Sequence, residues 1–349
     1  PKAVFALAAK TDPENACLWL PLVVHLKDTA CVMAYLLEKW LPEHYSECLG
    51  LSREEFFILA IAAALRHDVG KSTKLFQWTI TAQRPELRER LRRYGLETEF
   101  ERQPGNIPHA AAGAELLRCH GYGESLAAIV GAHHGAPEEW KNMDFCERMP
   151  KEFGWDPRGN RNTGWGSAQE ALFRWISEQT ETAVPECSMT AQMALTGLVI
   201  MADWIASNTA YFPLIPLEEM PQTYDRSRAE NALRRLRLPK PWGVSADWQS
   251  EDYFVRRFGF RANRVQERVE RIAAGMQTPG VMILEAPMGQ GKTEAAMSAA
   301  EILMNRFHLG GAAFFLPSQA TSNAMFTRMT QWAEHQPDAK EVAVELVHA

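Results

Sequence analysis

A single aspartate inside an almost wholly apolar segment places the strongest constraint on how this chain folds. Asp203 lies within LTGLVIMADWIASN, part of a predicted helix over 189–207 that is apolar on nearly every side. Burying an ionised carboxylate without a partner costs several kcal/mol or more. No Lys or Arg occurs from Thr190 to Pro213. The charge that balances Asp203 must therefore come from elsewhere, and a metal ion held by other parts of the chain would supply it.

Histidines that precede this helix are suited to hold such an ion. Seven of the ten histidines fall within the first 134 residues, and five of these lie on or beside apolar helical segments: His25, His67, His109, His133 and His134. In AALRHDVGKSTKLF an apolar helix ends directly at a His-Asp pair. A lone histidine on an apolar helix is more often a hydrogen-bonded core residue than a ligand. Together with Asp68 and Asp203, the five histidines predict a metal centre.

The order of these residues resembles the HD superfamily of metal-dependent phosphohydrolases. It is particularly similar to the HD nuclease domain of the CRISPR-associated nuclease-helicases of type I interference systems. The matching residues are His25, His67-Asp68 with Lys71 in HDVGK, His109, His133-His134 and Asp203. The resemblance implies one metal held by His25, His67, Asp68 and Asp203. It implies a second held by Asp68, His109, His133 and His134, with Asp68 bridging the two.

The donor set indicates the chemistry. Two cations about 3.5–4 Å apart can generate a hydroxide nucleophile and stabilise an in-line phosphoryl displacement. Imidazole-rich ligation disfavours Mg²⁺ and favours Mn, Fe, Co or Ni. Besides the bridging Asp68, two residues are candidate catalytic groups. Lys71, one turn after His67, is placed to meet a phosphate oxygen, although an exposed surface lysine is nearly as good an interpretation. Ser207, one turn after Asp203, faces the same way and could touch a metal-bound water or the substrate.

A different pattern begins near residue 251. An apolar segment, GVMILEAP (280–287), is followed by a glycine turn, a helix over 292–307 and a second apolar segment, GAAFFLP (311–317). This order predicts a βαβ unit with a parallel sheet. EAPMGQGKTEAA (285–296) stands where a phosphate-binding loop would, between strand and helix. Its candidate nucleotide-binding residues are Gly289, Gln290, Gly291, Lys292 for the β/γ-phosphates and Thr293 for Mg²⁺.

This loop resembles that of superfamily 2 helicases, in which the departure from the general pattern at Ala286 is usual. The resemblance implies that Gln266 reads adenine and that ATP and Mg²⁺ are cofactors of the full-length helicase. The sequence ends at Ala349, before any Asp-Glu-x-His motif or second lobe. We therefore expect an incomplete helicase module with negligible ATP turnover.

These patterns predict a multidomain chain. An all-α HD-superfamily domain is expected at 1–210, a connecting arm at 211–250, and a partial α/β RecA-like (P-loop) domain at 251–349. The net charge of −6 excludes a simple polycation, so nucleic acid must meet local basic stretches. Six cysteines without a C-x-x-C pair favour reduced, structural thiols. With no signal peptide and no run of 18 or more apolar residues, we expect a soluble cytoplasmic protein of a prokaryote.

The leading functional hypothesis is a metal-dependent nuclease that degrades single-stranded DNA. The resemblance implies as partners single-stranded DNA, a CRISPR RNA-guided surveillance complex and ATP, and it admits a phage-encoded inhibitor; no membrane partner is expected. One alternative is an HD phosphohydrolase of nucleotides or cyclic dinucleotides, which the phosphate loop and the five-histidine set weigh against. Another is a non-catalytic docking module whose metals serve structure alone.

Overall fold

The computed structural model describes residues 2–42, 44–135, 144–180, 183–220, 223–236, 238, 246–337 and 343–346. Contacts divide the chain into two compact units, Pro1–Arg237 and Leu238–Ala349. The helices of the first unit are α1 (Leu22–Tyr35), α2 (Tyr45–Cys48), α3 (Arg53–Ala64), α4 (Lys74–Ile80), α5 (Pro85–Arg93), α6 (His109–Cys119), α7 (Glu124–Gly131), α8 (Phe145–Arg148), α9 (Pro150–Phe153), α10 (Gly164–Ser177), α11 (Met189–Ser207) and α12 (Arg226–Arg235). Short 3₁₀ helices cover Lys2–Ala6 and Val69–Ser72, and a π-helical turn covers Leu36–Trp40.

Five helices form the centre of the first unit. Helix α1 packs against α3 and α11, α11 also contacts α3 and α7, and α6 packs against α7. Local signals fix where two of them begin. Ser52 and Glu55 form a capping box at the start of α3, and the Ser188 hydroxyl accepts a hydrogen bond from Ala191 N at the start of α11. By length and composition α11 is also the one described helix that could cross a bilayer. Its contacts with three other helices place it inside the bundle.

The prediction of an all-α first domain is wrong in one respect, because the first unit contains a small antiparallel sheet. Strands β1 (Ala8–Thr11), β2 (Leu18–Pro21) and β3 (Ile215–Pro216) lie in that order. Two four-residue strands and one two-residue strand are too short to show an alternating pattern. Strand β3 also pairs with a strand far away in sequence, so only the tertiary fold brings the sheet together.

Much of the segment predicted as a connecting arm, 211–250, belongs to the first unit. It includes β3 and α12, and α12 packs against α1. A fully buried Asp28 on α1 accepts hydrogen bonds from Tyr224 Oη (2.7 Å) and Arg228 Nε (2.9 Å to Oδ2). A buried ion pair needs such additional hydrogen bonds to hold both charges. Residues 239–245 of the predicted arm lie outside the described residues.

The second unit contains α13 (Tyr253–Phe258), α14 (Arg264–Gly275), α15 (Lys292–Arg306) and α16 (Gln319–Glu334), after a 3₁₀ turn at Ala246–Gln249. Helices α14 and α15 pack together through a buried apolar cluster: Val269, Ala273, Ala295, Ala299 and Ile302. The predicted helix over 292–307 is therefore present, with an end one residue earlier.

The strands predicted at 280–287 and 311–317 are wrong, because neither segment is hydrogen-bonded into a sheet among the described residues. The first segment still alternates as a strand does. Met282 and Leu284 pack on the cluster between α14 and α15, whereas Val281 and Ile283 are 90% and 87% exposed. A strand is defined by a hydrogen-bonded neighbour, and here the apolar pattern has none. The RecA-like character of this unit remains a prediction.

Candidate metal centre

The structure brings all seven predicted metal ligands of the first unit to one place, and five helices deliver them. One histidine lies on α1, a His-Asp pair follows α3, one histidine begins α6, two follow α7, and one aspartate lies on α11. In chain order they are His25, His67, Asp68, His109, His133, His134 and Asp203. These side chains come from five different helices, so the packing of the bundle assembles the site.

A glycine allows the two halves of the site to approach each other. Gly70 lies in the 3₁₀ turn that follows the His-Asp pair, and this turn packs on α6. A Cβ at Gly70 would lie 1.8 Å from the carbonyl oxygen of His109 and 2.7 Å from the nitrogen of Gly113. Backbone atoms cannot give way as a flexible side chain can, so this position requires glycine. The close approach sets Asp68 beside His109.

The carboxylate of Asp68 lies between two pairs of imidazoles. Its Oδ2 is 3.0 Å from His25 Nε2 and 3.3 Å from His67 Nε2. Its Oδ1 is 3.3 Å from His109 Nε2 and 3.5 Å from His133 Nε2. Because the two oxygens face different pairs and the residue is 1% exposed, Asp68 has the geometry of a bridging ligand.

The two remaining candidate ligands, Asp203 and His134, lie on opposite sides of Asp68. Asp203 Oδ1 lies 3.2 Å from His25 Nε2 and 3.6 Å from His67 Nε2. On the opposite side His134 Nε2 lies 2.8 Å from His109 Nε2. Among the described residues, potential ligand atoms within 4.8 Å of one another form two groups: His25, His67, Asp68 and Asp203; and His109, His133 and His134. Apart from the sharing of Asp68, these are the two ligand sets that the sequence predicts.

Several buried polar atoms of the site have no hydrogen-bond partner within the protein, as expected of atoms that bind a metal ion. Both ring nitrogens of His25, Nε2 of His67 and of His133, and Oδ1 of Asp68 make no hydrogen bond. His67 and His133 instead use Nδ1, which faces the carbonyl oxygens of Ala64 (2.9 Å) and Val130 (2.6 Å). A nitrogen that faces a carbonyl must donate, which leaves Nε2 with a lone pair. Fixing the tautomer in this way prepares an imidazole as a ligand.

The electrostatics show how strongly the carboxylates need positive charge. Burial alone would raise the pKa of Asp68, but Lys71 and His67 hold that pKa well below its usual range. Burial would lower the pKa of His67, and Asp68 with Asp203 instead raises it to about 9. Burial would also raise the pKa of Asp203, which His25 and His67 keep below its ordinary value. A bound cation would satisfy the same demand without protons.

On the outer side of the centre the surroundings lower the pKa of a histidine, whereas that of His67 is raised. The pKa of His134 falls to about 4 because of its burial and of the neighbouring His133 and His109. Three imidazoles close together disfavour the addition of protons. At neutral pH His134 therefore keeps a lone pair available for a metal ion.

The two predicted catalytic side chains besides Asp68 lie at the centre. Lys71 is only 8% exposed, and its Nζ lies 2.6 Å from Asp68 Oδ2. It is therefore not the exposed surface lysine that the sequence left open. Ser207 Oγ donates a 2.7 Å hydrogen bond to Asp203 Oδ1.

The sequence did not point to Lys10, a half-buried residue of β1 whose charge interacts with Asp203 and Asp68. Burial lowers the pKa of Lys10, and the two carboxylates partly oppose that change. No sequence signal could have found it, because β1 is too short to be predicted. Phe76 is a second residue of the site that the sequence did not indicate. Its ring contacts the His109 ring edge-on, with the two ring centroids 5.5 Å apart.

In the second unit the predicted nucleotide-binding residues lie around the start of α15. Lys292 Nζ donates hydrogen bonds to the carbonyl oxygens of Ala286 (2.6 Å) and Pro287 (2.9 Å). Gly289 and Gly291 have φ of 79° and 68°, a region that favours glycine. The backbone thus curls around the lysine, which is the conformation from which a loop can wrap a phosphate.

Gln266 lies against this loop from α14. It is 1% exposed, donates through Nε2 to the carbonyl oxygen of Gly291 (3.2 Å) and accepts at Oε1 from Asn263 N (2.9 Å). Asn263 Nδ2 in turn donates to the carbonyl oxygen of Gln290 (3.2 Å). Thr293, in the first turn of α15, is partly buried. The side chain of Gln266 therefore contacts the loop, but its amide is hydrogen-bonded to backbone atoms in this structure.

Residues 9–212 match a protein family described as "Cas3, HD domain". The chain is 33% identical to the "CRISPR-associated nuclease/helicase Cas3" of Streptococcus thermophilus over 98% of its length. It is 31% identical to the "CRISPR-associated endonuclease/helicase Cas3" of Thermus thermophilus over 94% of its length. These alignments cover 39% and 36% of the two relatives, so the chain spans about two fifths of their length.

Solved structures show the same likeness. A structure described as "Crystal structure of CRISPR-associated protein" aligns with 99% of this chain and 39% of its own, with a TM-score of 0.76 and 26% identity. The structure of T. fusca Cas3 with ATP aligns over the same shares with a TM-score of 0.71 and 23% identity, which shows a shared fold.

Proposed function

Because the chain belongs to the Cas3 HD-domain family, we propose that its first unit is a metal-dependent nuclease that cleaves single-stranded DNA in CRISPR type I interference. The observation that carries this proposal is Asp68, whose two oxygens each face a separate pair of imidazole nitrogens. Of these four nitrogens, those of His25, His67 and His133 make no hydrogen bond. A single bridging carboxylate between two nitrogen-rich sets is the arrangement that two-metal phosphodiester hydrolysis needs.

Two groups of side chains around Asp68 support the ligand sets that we propose. His25, His67, Asp68 and Asp203 would hold one ion, and Asp68, His109, His133 and His134 would hold the other. Two divalent ions there would supply a hydroxide nucleophile and stabilise the oxygens of the displaced phosphoryl group. The nitrogen-rich set favours Mn, Fe, Co or Ni over Mg²⁺.

The chain's own residues prepare the substrate. Lys71 is held at the centre by Asp68, and once cations neutralise that carboxylate its Nζ would be free to contact a phosphate oxygen. Lys10 would add a second positive charge from β1. Ser207 orients Asp203 through its hydrogen bond. A phosphodiester carries one negative charge, and such charge-assisted contacts would orient it for in-line attack.

The second unit would bind ATP and Mg²⁺ as part of a superfamily 2 helicase module. The support is local: Lys292 folded into a loop with two left-handed glycines, and Gln266 against the same loop. The partners that we propose are a CRISPR RNA-guided surveillance complex, which would present the single strand, and a phage-encoded inhibitor. One similar structure is described as a "CRISPR RNA-guided surveillance complex, pre-nicking".

The test is an incubation of the full chain with Mn²⁺ and circular single-stranded DNA, beside parallel reactions on nucleotides and cyclic dinucleotides. We expect internal cuts in the circle, no turnover of the small substrates, and loss of activity by about 10³-fold or more in Asp68→Asn, which lacks the shared ligand. The matched control is Asp28→Asn, another fully buried aspartate of this unit, which contacts Arg228.

The control variant Asp28→Asn should have a lower melting temperature than the wild type and should still cleave single-stranded DNA. Hydrolysis of small nucleotides without DNA cleavage would replace the proposal with an HD phosphohydrolase. Full DNA cleavage by Asp68→Asn would contradict it outright.

A further inference from the structure

Two cysteines that take no part in the metal centre lie in contact. Cys119 is the last residue of α6 and Cys146 lies in α8, and their sulfur atoms are 3.4 Å apart. A disulfide requires sulfur atoms at about 2.05 Å, so the two must approach by little more than 1 Å. All six cysteines are free in the structure, and this is the one pair for which a sulfur–sulfur contact is recorded.

We propose that Cys119 and Cys146 are a redox modification site that forms a reversible disulfide when the protein meets a peroxide. The inference is independent of the nuclease proposal, because it needs only these two thiols and their surroundings. The loop that the bond would close contains α7 and the two histidines that follow it, His133 and His134. Oxidation would therefore covalently link the two ends of a segment that carries part of the metal centre.

The surroundings give the two sulfurs different roles. Cys119 is partly exposed and Cys146 is buried, so a small oxidant reaches Cys119 first. The hydrogen bond from Cys146 and the charge of Arg161 lower the pKa of Cys119 to about 7, against the effect of burial. Arg161 is held there by a 3.0 Å hydrogen bond to the carbonyl oxygen of Cys119. The lowered pKa increases the share of Cys119 that is thiolate at neutral pH, and the thiolate is the form that attacks a peroxide.

The reaction balances with a peroxide as the only oxidant. The Cys119 thiolate attacks one peroxide oxygen, so an S–O bond forms, the O–O bond breaks and hydroxide leaves. The Cys146 sulfur then attacks the sulfenic acid, so the S–S bond forms, the S–O bond breaks and water leaves. Glu115, which hydrogen-bonds the Cys146 thiol, is placed to take its proton and pass it to the departing hydroxide, which therefore leaves as water. Two thiol sulfurs lose two electrons in total, and the peroxide gains them.

The other cysteines lack this combination. Burial raises the pKa of Cys31 and of Cys187, so both are protonated at neutral pH. Cys17 and Cys48 are exposed, and neither has a recorded contact with another sulfur. Thiolate character and a neighbouring resolving thiol occur together at Cys119, which makes the modification selective.

The experiment treats the full chain with a small excess of hydrogen peroxide and maps its peptides by mass spectrometry. We expect one dominant cross-link, Cys119 to Cys146, that dithiothreitol reverses. We also expect the melting temperature to rise by about 5 °C, because the bond restricts the unfolded chain. Before oxidation, iodoacetamide should alkylate Cys119 about tenfold faster than Cys187 at pH 7.

Variants separate the two roles. In Cys146→Ser the cross-link should vanish and dimedone should trap a sulfenic acid at Cys119. In the matched control Cys187→Ser the cross-link should form as in the wild type. The proposal is overturned if cross-links form among the cysteines without preference. It is equally overturned if Cys119 alkylates no faster than Cys187, or if Cys119 passes to the sulfinic acid while Cys146 stays reduced.

Discussion

We propose that the candidate metal centre of the first unit and the phosphate loop of the second both act on phosphate groups, but the chain builds them in opposite ways. Residues from five helices meet at Asp68, and several of their buried polar atoms make no hydrogen bond. The phosphate loop is a short continuous segment, and its lysine already donates to two backbone carbonyls. Several buried polar atoms of the first site lack hydrogen-bond partners within the protein, whereas the lysine of the second site already has two.

The difference follows from how each site is encoded. A local loop is specified by a few neighbouring residues, so it can form wherever a helix begins after a glycine turn. A centre assembled from distant residues depends on the whole bundle, and the bundle holds its ligands in place before any ion binds. The metal centre should therefore be preorganised and sensitive to distant packing, and the loop should respond mainly to changes within itself.

Among the variants that test this contrast, a substitution at Asp203 should have the largest effect, which is a loss of metal affinity. Asp203→Asn keeps the side-chain shape but removes a charge that His25 and His67 now face. Loss of one partner from a buried charged set costs about 3–5 kcal/mol, and the same free energy in metal binding is equivalent to about 150- to 5,000-fold in affinity. We expect elemental analysis to find one ion lost and one retained near Asp68. Unchanged ion content in Asp203→Asn would show that this aspartate is not a ligand.

Gly70→Ala should disturb the centre without touching any ligand. The new Cβ would overlap the backbone of His109, so the turn and α6 must separate. We expect a loss of about 1–3 kcal/mol in the free energy of unfolding, measured by urea titration. We also expect about 10- to 100-fold weaker metal binding.

Gly197→Ala is the matched control for that variant. A Cβ at this position of α11 meets nothing within 4 Å, and alanine favours a helix over glycine. It should stabilise the protein by about 0.5–1 kcal/mol and leave metal binding unchanged. Equal behaviour of the two variants would remove the argument that Gly70 joins the halves of the site.

Ser207→Ala should have a smaller effect, because it removes one hydrogen bond to Asp203. A hydrogen bond of this kind contributes about 1 kcal/mol, so nuclease activity should fall by about five- to tenfold. Ser177→Ala is the control, since its hydroxyl donates to the carbonyl oxygen of Phe173 in α10. Equal rates for Ser207→Ala and the wild-type protein would leave Ser207 without a role in positioning.

Lys292→Ala should leave the nuclease within about twofold of the wild type, since no candidate metal ligand lies in the phosphate loop. Its effect should appear in nucleotide binding. Mg-ATP at about 100 times its dissociation constant should stabilise the wild type by about 2.7 kcal/mol. That protection should disappear in Lys292→Ala and persist when the exposed Arg268 of α14 is replaced by alanine. A large fall in DNA cleavage by Lys292→Ala alone would contradict the independence of the two sites.

The same contrast explains what could be predicted from the sequence. The membership of the family, inferred from seven residues and their order, is confirmed. The seven residues do meet in space, and the apolar helical segments on or beside which they lie pack together in the bundle. The sheet of the first unit was not predicted because its strands are two to four residues long and because β3 pairs with β2 across most of that unit. Lys10 was missed with it.

In the second unit the apolar segments at 280–287 and 311–317 were read as strands from their composition. Composition marks a segment that could pair, but pairing needs a neighbouring strand. The described residues of the second unit supply none, and Phe315 of the second segment is 93% exposed. The helix predicted over 292–307 is present as α15, and it could be predicted because a helix closes its own backbone hydrogen bonds.

The central claim is that Asp68 is shared by two metal ions, and anomalous scattering from crystals of the full chain grown with Mn²⁺ tests it most directly. We predict two peaks, one beside each carboxylate oxygen of Asp68, separated by about 3.5–4 Å. One peak should lie between His25, His67 and Asp203, and the other among His109, His133 and His134. Peaks absent from Asp68, or a single ion bound away from it, would contradict the account.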